Sequence, residues 1–328
     1  MLQRLYYLIH NTVTLLTVLL FLLQPSCSEN LDIPEEEKTP IDFDAWSATT
    51  KAFADDDNIK NKSFKVLGKY SDGTTFNTSS NTTVFENTEV TYVNGGWSYV
   101  TNTEPSRSWE PGKTYRFRAI WPSIDGINLD NDFLPNLYNV PQEISQQEDF
   151  LISDIIDRDS SSDTSPVRIQ FKHALCRVNL KVTNMSDDGD TYKVTKVIIS
   201  GIKAGGFFKD MDSTWDTSTT TSTLTFTKTL EANLNNKNDN QQYFVDLMLI
   251  PQNVSNISVS VEYIVTHNGN NTNKNKPVRI YTSTVPSWKP SQIYSYNIGL
   301  SETYGIIFGT PTVEPWGDPK VVGTIVYQ

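Results

Sequence analysis

The sequence is poor in the residues that most often carry chemistry. Its 328 residues include 2 cysteines and 3 histidines, which excludes a disulfide scaffold and a Cys/His zinc cluster. Lys and Arg number 27 against 38 Asp and Glu, so the formal net charge is −11, and so acidic a chain has no field to attract nucleic acid. The signature loops of nucleotide-binding and hydrolytic enzymes are also missing. An enzyme therefore ranks behind a structural or binding protein.

Helical periodicity is nearly absent, and short runs of alternating apolar and polar residues take its place. With 7 Trp, 15 Tyr and 15 Phe, the chain can bury a substantial core. Asn-Gly pairs at Asn94 and Asn268 indicate hairpin turns, because these residues tolerate a positive φ. These patterns predict an all-β fold of antiparallel sandwiches. The predicted strands lie at 64–70, 89–93, 114–121, 168–171, 176–182, 192–199, 224–226, 244–250, 257–263 and 293–298.

The N-terminus has the pattern of an export signal. Arg4 precedes an apolar stretch from Leu5 to Leu23, and a short break leads to Cys27. The alternative is a transmembrane anchor, but the densest apolar part, Val13 to Leu23, is only 11 residues long, against the ~20 that a spanning helix needs. Residues 1–26 are therefore predicted to be a secretory signal.

Cys27 is the predicted lipid-attachment residue. The Ser26-Cys27 junction resembles the lipobox of bacterial lipoproteins, although Gln24 and Pro25 depart from its usual residues. A lipidated Cys27 leaves Cys176 as the only thiol, which fits an exported protein without a disulfide. The alternative is plain signal cleavage nearby.

An acidic segment follows, and residues 27–40 are predicted to be an extended tether. The segment holds five carboxylates, and prolines stand at 34 and 40. It resembles the surface-export signal of lipoproteins in some Gram-negative anaerobes. A solvated spacer is the other interpretation.

One motif occurs twice and indicates two related domains. The stretch from Trp109 to Phe117 recurs in outline from Trp288 to Tyr296, as Trp-x-Pro, a two-residue turn, and a strand with Tyr-x-aromatic. The segment 157–166 has no apolar residue before its proline and is predicted to be a linker. The predicted domains are an N-terminal β-sandwich at 41–160 and a C-terminal β-sandwich at 161–328.

Several motifs in order resemble the fimbrillin family, the subunits of pili that assemble by strand exchange. They are Thr49-Thr50-Lys51-Ala52, Trp97-Ser98-Tyr99, the Trp109–Pro122 segment, Phe171–Leu175, the Trp288 motif and the closing run Ile306–Trp316. The resemblance implies a lipoprotein precursor of the outer membrane, two tandem transthyretin-like β-sandwiches, no catalysis and no cofactor. It also implies fimbrial subunits as partners through β-strand addition, with adhesion to a host or microbial surface receptor as a further role.

The resemblance also implies proteolytic processing. Residues 41–46 alternate apolar and polar and are predicted to form the first strand. Lys51 is the candidate cleavage point, with Ala52 as the new N-terminus, whereas the best-known family pattern uses Arg. The run Val321–Tyr327 is the candidate donor strand. In the alternative, Lys51 is an ordinary exposed lysine and the C-terminal run closes its own sandwich.

The remaining candidates have structural interpretations. His173 lacks a marked nucleophile or acid, and Cys176 falls within an alternating strand, so both are predicted to be structural. Acidic clusters at 55–58, 128–132 and 187–190 lack a complete calcium-loop pattern and are predicted to be solvated turns. The alternative function is a surface glycan-binding lipoprotein that uses exposed aromatics. Its candidates are Trp97, Tyr99, Trp109 and Trp121, which are more often core residues.

Overall fold

Alternating β-branched and aromatic residues form strands along much of the described part of the chain. A computed structural model describes residues 38–47, 59–101, 105–209, 214–279, 285–301 and 305–316, and the described residues from Thr39 onward form one compact unit. Within the described residues, no helix is long and apolar enough to cross a membrane. A short 3-10 helix covers Ile144–Gln146. The strands are β1 Phe43–Ser47, β2 Phe64–Asp72, β3 Thr82–Val93, β4 Gly96–Ser98, β5 Lys113–Trp121, β6 Tyr138–Asn139, β7 Leu151–Ser153, β8 Ile156–Asp159, β9 Val167–His173, β10 Cys176–Asn184, β11 Thr191–Lys203, β12 Gly205–Lys209, β13 Thr214–Asp216, β14 Thr223–Leu234, β15 Asn240–Leu249, β16 Ser258–His267, β17 Asn270–Arg279, β18 Gln292–Ser301, β19 Gly305–Phe308 and β20 Thr312–Pro315.

The first sheet has eight strands in the order β1-β9-β7-β5-β2-β3-β4, with β8 also pairing β5. Its pairs are antiparallel except at the β1 end, where Phe43 lies parallel to and opposite Val167. Apolar residues in the middle of the sheet are buried on both faces: Val66 packs in one core and its neighbour Leu67 in another. β2 and β5 therefore contain consecutive buried residues, whereas burial in β9 alternates strictly.

The first sheet extends beyond the predicted linker. β8 starts at Ile156, and Asp157 is held there by a bidentate ion pair with Arg116 on β5, with N···O distances of 2.7 and 2.6 Å. β9 pairs with β1 and β7, although the predicted boundary assigns it to the second domain. Strand pairing thus changes from the first sheet to the next after His173, because the apolar face of β9 completes the first core.

Two further sheets form the C-terminal sandwich. One has the order β15-β10-β18-β19, with β20 also pairing β18, and the other has the order β14-β11-β16-β17. Their inward side chains, such as Val178, Ile199 and Ile298, are fully buried in a single core. β10 and β18 are parallel, as are β1 and β9, so the predicted antiparallel sandwiches include two parallel pairs.

A small sheet, β13-β12-β6, joins the two parts of the chain. β6 belongs to the predicted N-terminal domain, and its Asn139 lies opposite Gly205 on β12. A Cβ atom at Gly205 would lie 2.4 Å from Asn139 Oδ1 and 2.9 Å from the carbonyl oxygen of Tyr138. This close backbone approach requires glycine.

The structure confirms the all-β prediction, the Asn-Gly hairpins and the repeated motif. Asn94-Gly95 and Asn268-Gly269 have positive φ and connect β3 to β4 and β16 to β17. In both copies of the Trp-x-Pro motif the Trp is buried. The next residue's amide donates a hydrogen bond to the motif's Tyr hydroxyl, from Glu110 to Tyr115 at 2.7 Å and from Lys289 to Tyr294 at 2.8 Å.

Candidate functional site along the first strand

β1 and the two residues before it combine an edge position with a buried face. Ile41, Phe43 and Ala45 are at most 5% exposed, while Asp42 and Asp44 face outward. The alternation predicted for 41–46 is therefore confirmed. A strand of this kind adds an apolar row to the core and leaves its polar row in solvent.

Phe43 lies at the centre of a cluster of aromatic rings. Its ring centroid is 5.2 Å from Phe85, 5.9 Å from Tyr99, 6.1 Å from Phe117 and 6.2 Å from Phe64, and all four pairs meet edge to face. The four partners come from β2, β3, β5 and the segment after β4, so they are positioned by the sheet itself. Such rings contribute about 0.5–1.5 kcal/mol per pair beyond their area burial.

Hydrogen bonds hold β1 on two sides. The amide of Val167 donates to the carbonyl of Asp42 at 2.8 Å, at the start of the parallel pairing with β9. On the other side, Trp97 Nε1 donates to the carbonyl of Ala45 at 3.1 Å and the Tyr99 hydroxyl donates to the carbonyl of Ile41 at 3.0 Å. β1 therefore lies between the two ends of the first sheet. It pairs with β9 at one end, but it forms no ladder with β4 at the other.

The predicted tether begins to pack before its predicted end. Ile41 donates from its amide to the carbonyl of Arg107 at 2.7 Å, and the amide of Trp109 donates to the carbonyl of Thr39 at 3.0 Å. These bonds place the start of the first strand beside the Trp109 motif.

A cleft of about 640 Å³ follows the outer side of β1. Asp44, Trp97 and Arg168 are among its lining residues, and Arg158 forms an ion pair with Asp163 there. The outward side chain of Asp44 lines this cleft. The apolar side chains of β1 therefore lie inside the core, and its acidic side chain borders solvent.

The predicted processing and anchoring residues, Cys27, Lys51 and Ala52, lie outside the described residues, as does the candidate donor Val321–Tyr327. The sequence places Trp97 and Tyr99 among the glycan-binding candidates and does not predict that they hold β1. The only sequence signal for that role is their position directly after the Asn94-Gly95 hairpin turn.

The aromatics considered for glycan binding face inward. Tyr99, Trp109 and Trp121 are at most 5% exposed and Trp97 is half-buried. Among the described residues, Phe207 is the only aromatic side chain with more than about a third of its surface exposed. The core interpretation of these residues is therefore confirmed for the first three, and no exposed aromatic row supports sugar stacking in the part of the chain that is described.

His173 and Cys176 occupy structural positions. His173 Nδ1 lies 2.6 Å from Asp149 Oδ2, both side chains are 1% exposed, and the imidazole stacks on Trp316 with centroids 4.1 Å apart. The thiol of Cys176 is fully buried and donates to the carbonyl of Leu249 at 3.3 Å. Burial raises the pKa of the Cys176 thiol well above its ordinary value, so the reactive thiolate is suppressed.

The acidic clusters act as turn caps and ion-pair partners. Asp130 accepts hydrogen bonds from the amides of Asp132 and Leu134, each at 2.9 Å. Asp190 lies 2.5 Å from His267 Nδ1 and is almost fully buried, so it is not the solvated residue that was predicted. No group of three or more metal-binding side chains occurs among the described residues, and the cluster at 55–58 lies outside them.

Comparison with known proteins gives the family. The pattern of the Fimbrillin-like family matches residues 36–316, which is most of the chain. The protein belongs to this family of fimbrial and cell-adhesion proteins, which are structural and not enzymatic. Membership implies association with other fimbrial subunits and a place at the cell surface or in a fimbrium.

Solved structures share the fold. A fimbrial protein from Bacteroides vulgatus is 16% identical, with a TM-score of 0.62, and the match covers 84% of this chain and 99% of that one. A candidate cell adhesion protein from Parabacteroides distasonis is 10% identical, with a TM-score of 0.51, and the match covers 87% of this chain and 99% of that one. No match was found among curated proteins.

Proposed function

We propose that this protein is a structural or tip subunit of a fimbria, that it polymerises by exchange of its first strand, and that it mediates cell adhesion. The observation that carries the proposal is the construction of β1. Ile41, Phe43 and Ala45 enter a core whose other walls belong to separate strands. Departure of β1 would leave an apolar groove with pockets at alternate positions and an unpaired β9 edge. Both are what an incoming strand needs for β-strand addition.

Cleavage after Lys51 would release β1 from the rest of the chain. β1 ends at Ser47 and β2 starts at Phe64, so Lys51 lies on the connection between them. A cut there removes the covalent link to β2, after which β1 is held only by its noncovalent contacts. Ala52 would then be the first residue of the assembled form.

The C-terminal run Val321–Tyr327 is the proposed donor. If this run is extended in the acceptor groove, Val321, Ile325 and Tyr327 would share one side with Gly323 between them, because side chains alternate with period two. That spacing resembles the inward row Ile41, Phe43 and Ala45, which also combines aliphatic, aromatic and small residues.

Before cleavage, the proposed precursor is a lipoprotein of the outer membrane. A lipid on Cys27 would anchor it, and residues 27–40 would hold the folded body away from the bilayer. A Cys27→Ala variant is expected to lose membrane association and labelling by fatty-acid analogues. Retained labelling would contradict the anchor without affecting the strand-exchange proposal.

The test of the function combines N-terminal sequencing with filament analysis. Assembled protein from the cell surface is expected to begin at Ala52. A Lys51→Ala variant should accumulate uncleaved and form no ladder, while the matched Lys62→Ala variant, at an exposed lysine later on the same connection, should assemble normally. Filaments whose subunits still carry residues 27–51 would overturn the proposal.

A second experiment addresses the groove directly. Purified protein cleaved at residue 51 is mixed with a labelled peptide of residues 317–328. Phe43→Ala should speed peptide uptake, because the loss of a buried Phe destabilises β1 packing by about 3–5 kcal/mol, whereas Asp44→Ala on the outward face should not. Equal uptake by the two variants would show that β1 does not occupy the acceptor groove.

A further inference from the structure

The two Asn-Gly hairpin turns have the same backbone conformation and different neighbours. Asn94-Gly95 joins β3 to β4 and Asn268-Gly269 joins β16 to β17. The φ angles are 52° and 86° in the first turn and 48° and 79° in the second, as a type I′ turn requires. Both asparagines are exposed, and the residue before the turn is Val93 in the first hairpin and His267 in the second. A difference in reactivity between the two turns therefore comes from the side chains around them.

The side chains of Asp190, His267 and Asn268 form a chain of hydrogen bonds at the second turn, which we call the turn triad. His267 Nδ1 lies 2.5 Å from Asp190 Oδ1, and Asn268 Nδ2 lies 2.9 Å from His267 Nε2. Because the carboxylate accepts, Nδ1 carries a proton, and in the neutral imidazole Nε2 accepts a hydrogen bond from the Asn268 amide. The side-chain nitrogen that leaves in a deamidation is thus in contact with an acid–base group.

The fold holds Asp190 in place beside the turn. It directly precedes β11, whose first residue, Thr191, lies opposite Thr266 on β16. Asp190 is 2% exposed, and its Oδ2 accepts a hydrogen bond from the Ser186 hydroxyl at 3.0 Å. The side chain of His267 is 47% exposed, so one end of the imidazole meets a buried carboxylate and the other end faces the turn. A buried carboxylate that orients an imidazole and stabilises its protonated form is an arrangement suited to general acid–base catalysis.

The first turn has no such group. Val93 stands where His267 stands in the second hairpin, and the side chain of Asn94 makes no hydrogen bond within the part of the chain that the structure describes. The protein therefore contains its own control, which has the same dipeptide and the same backbone conformation but no imidazole.

We propose that Asn268 is a site of spontaneous deamidation, and that His267, oriented by Asp190, promotes the reaction. The backbone nitrogen of Gly269 loses its proton to solvent base and attacks Cγ of Asn268, and the new nitrogen–carbon bond closes a succinimide ring. The bond from Cγ to Nδ2 breaks, and the His267 imidazolium gives its Nε2 proton to Nδ2, which leaves as ammonia. The imidazole then takes a proton back from solvent. Water opens the succinimide at either carbonyl to give aspartate or isoaspartate.

The product is stabilised by the same contacts. The reaction adds one negative charge beside His267, so the imidazolium has a carboxylate partner on each side, Asp190 at Nδ1 and the new one at Nε2. Because the reaction requires only water and a folded chain, the modified fraction increases with the age of the subunit. It is independent of strand exchange, since none of its residues belongs to β1 or to the core around it.

The experiment is a timed incubation of the folded protein at neutral pH in water enriched in heavy oxygen. Peptide mass spectrometry measures the fraction of Asn268 and of Asn94 that has gained the label, which excludes deamidation during digestion. Asn268 is expected to react at least about tenfold faster than Asn94. In the urea-unfolded chain the two should react at similar rates, because the turn triad has come apart. Equal rates in the folded protein, or faster reaction at Asn94, would overturn the proposal.

A variant of His267 tests the acid–base role. His267→Gln removes the imidazole but keeps a side-chain amide that can donate to Asp190, and it should slow Asn268 to the rate of Asn94. Lys274→Gln, in the same hairpin on β17, is the matched control and should react as the parent does. Urea unfolding verifies that both variants are folded, and if His267→Gln is not, the comparison of the two turns in the parent decides alone. A folded His267→Gln variant with an unchanged rate at Asn268 would contradict the role of the imidazole.

Discussion

The two Trp-x-Pro turns show what a repeated motif keeps and what it changes. Both keep a buried Trp, a proline and a Tyr hydroxyl that accepts a bond from the amide after the Trp. Both also have a positive φ at the same place, 70° at Gly112 and 57° at Ser291. The shared hydrogen bond and turn fix the backbone conformation at the start of β5 and of β18.

The two copies differ in the hydrogen bonds that they make with neighbouring residues. Trp288 Nε1 donates to the Tyr296 hydroxyl at 2.9 Å, but Phe117 stands at the corresponding position in the first copy, and Trp109 Nε1 has no hydrogen-bond partner among the described residues. Ser291 further donates from its hydroxyl to the carbonyl of His173 at 2.8 Å. The second copy therefore joins β18 to the end of the first sheet, while the first copy is bonded to the segment before β1, through Trp109 and Thr39, and to Ser160 after β8.

Removal of the shared hydroxyl should have the largest effect. Tyr115→Phe and Tyr294→Phe each leave a backbone amide without its partner, and we expect each to lower the free energy of unfolding by about 1–3 kcal/mol. Urea unfolding measures the loss, and Tyr92→Phe, whose hydroxyl has no hydrogen bond in the described part of the chain, is the control. A loss in only one of the two variants would show that the turns are not equivalent.

Tyr296→Phe converts the second copy into the first and should cost about 1 kcal/mol at neutral pH, because Trp288 Nε1 loses its acceptor. Burial raises the pKa of Tyr296, and the hydrogen bond from Trp288 offsets only part of that rise. Above pH ~10 the unfolded chain loses this proton while the folded protein keeps it, so stability falls as pH rises.

The variant should therefore lose stability less steeply above pH ~10, by about 1.4 kcal/mol per pH unit. Urea unfolding repeated across this range measures the slope. Parallel pH profiles for parent and variant would contradict a raised pKa at Tyr296.

The left-handed turn position should give the smallest effect. Gly112→Ser places a side chain at positive φ in open space. It should lower the free energy of unfolding by about 1 kcal/mol, because a residue with a Cβ atom is strained in this backbone conformation. Ser291→Gly relieves the same backbone strain but loses the hydrogen bond to the carbonyl of His173. We therefore expect the stability measured by thermal unfolding to change little. A clear stabilisation would mean that the Ser291 hydroxyl contributes nothing to the junction.

Local pattern was enough to predict most of the strands. The runs at 64–70, 114–121 and 192–199 lie within β2, β5 and β11, since apolar residues at period two face one core. β17 was missed because Asn270–Arg279 is rich in Asn and Lys and is paired on an edge. The pairing of β9 was also missed, because alternation reveals a buried face but not which sheet contains it.

The candidate site was predictable only in part. The alternation of 41–46 indicates a strand, and the aromatic content indicates a core, but the sequence does not show that Phe43 meets Phe85 and Phe117. Nor does it show that Trp97 and Tyr99 donate hydrogen bonds to the carbonyls of Ala45 and Ile41, since these residues are far apart along the chain.

The parallel pairing of β1 with β9 also determines the order in which the fold can be completed. Phe43 and Val167 are partners but stand more than a hundred residues apart, and closing so long a loop is slow relative to hairpin formation. During synthesis from the N-terminus, β1 emerges long before its partner exists. The first strand of the sequence therefore cannot complete its pairing until β9 has been synthesised.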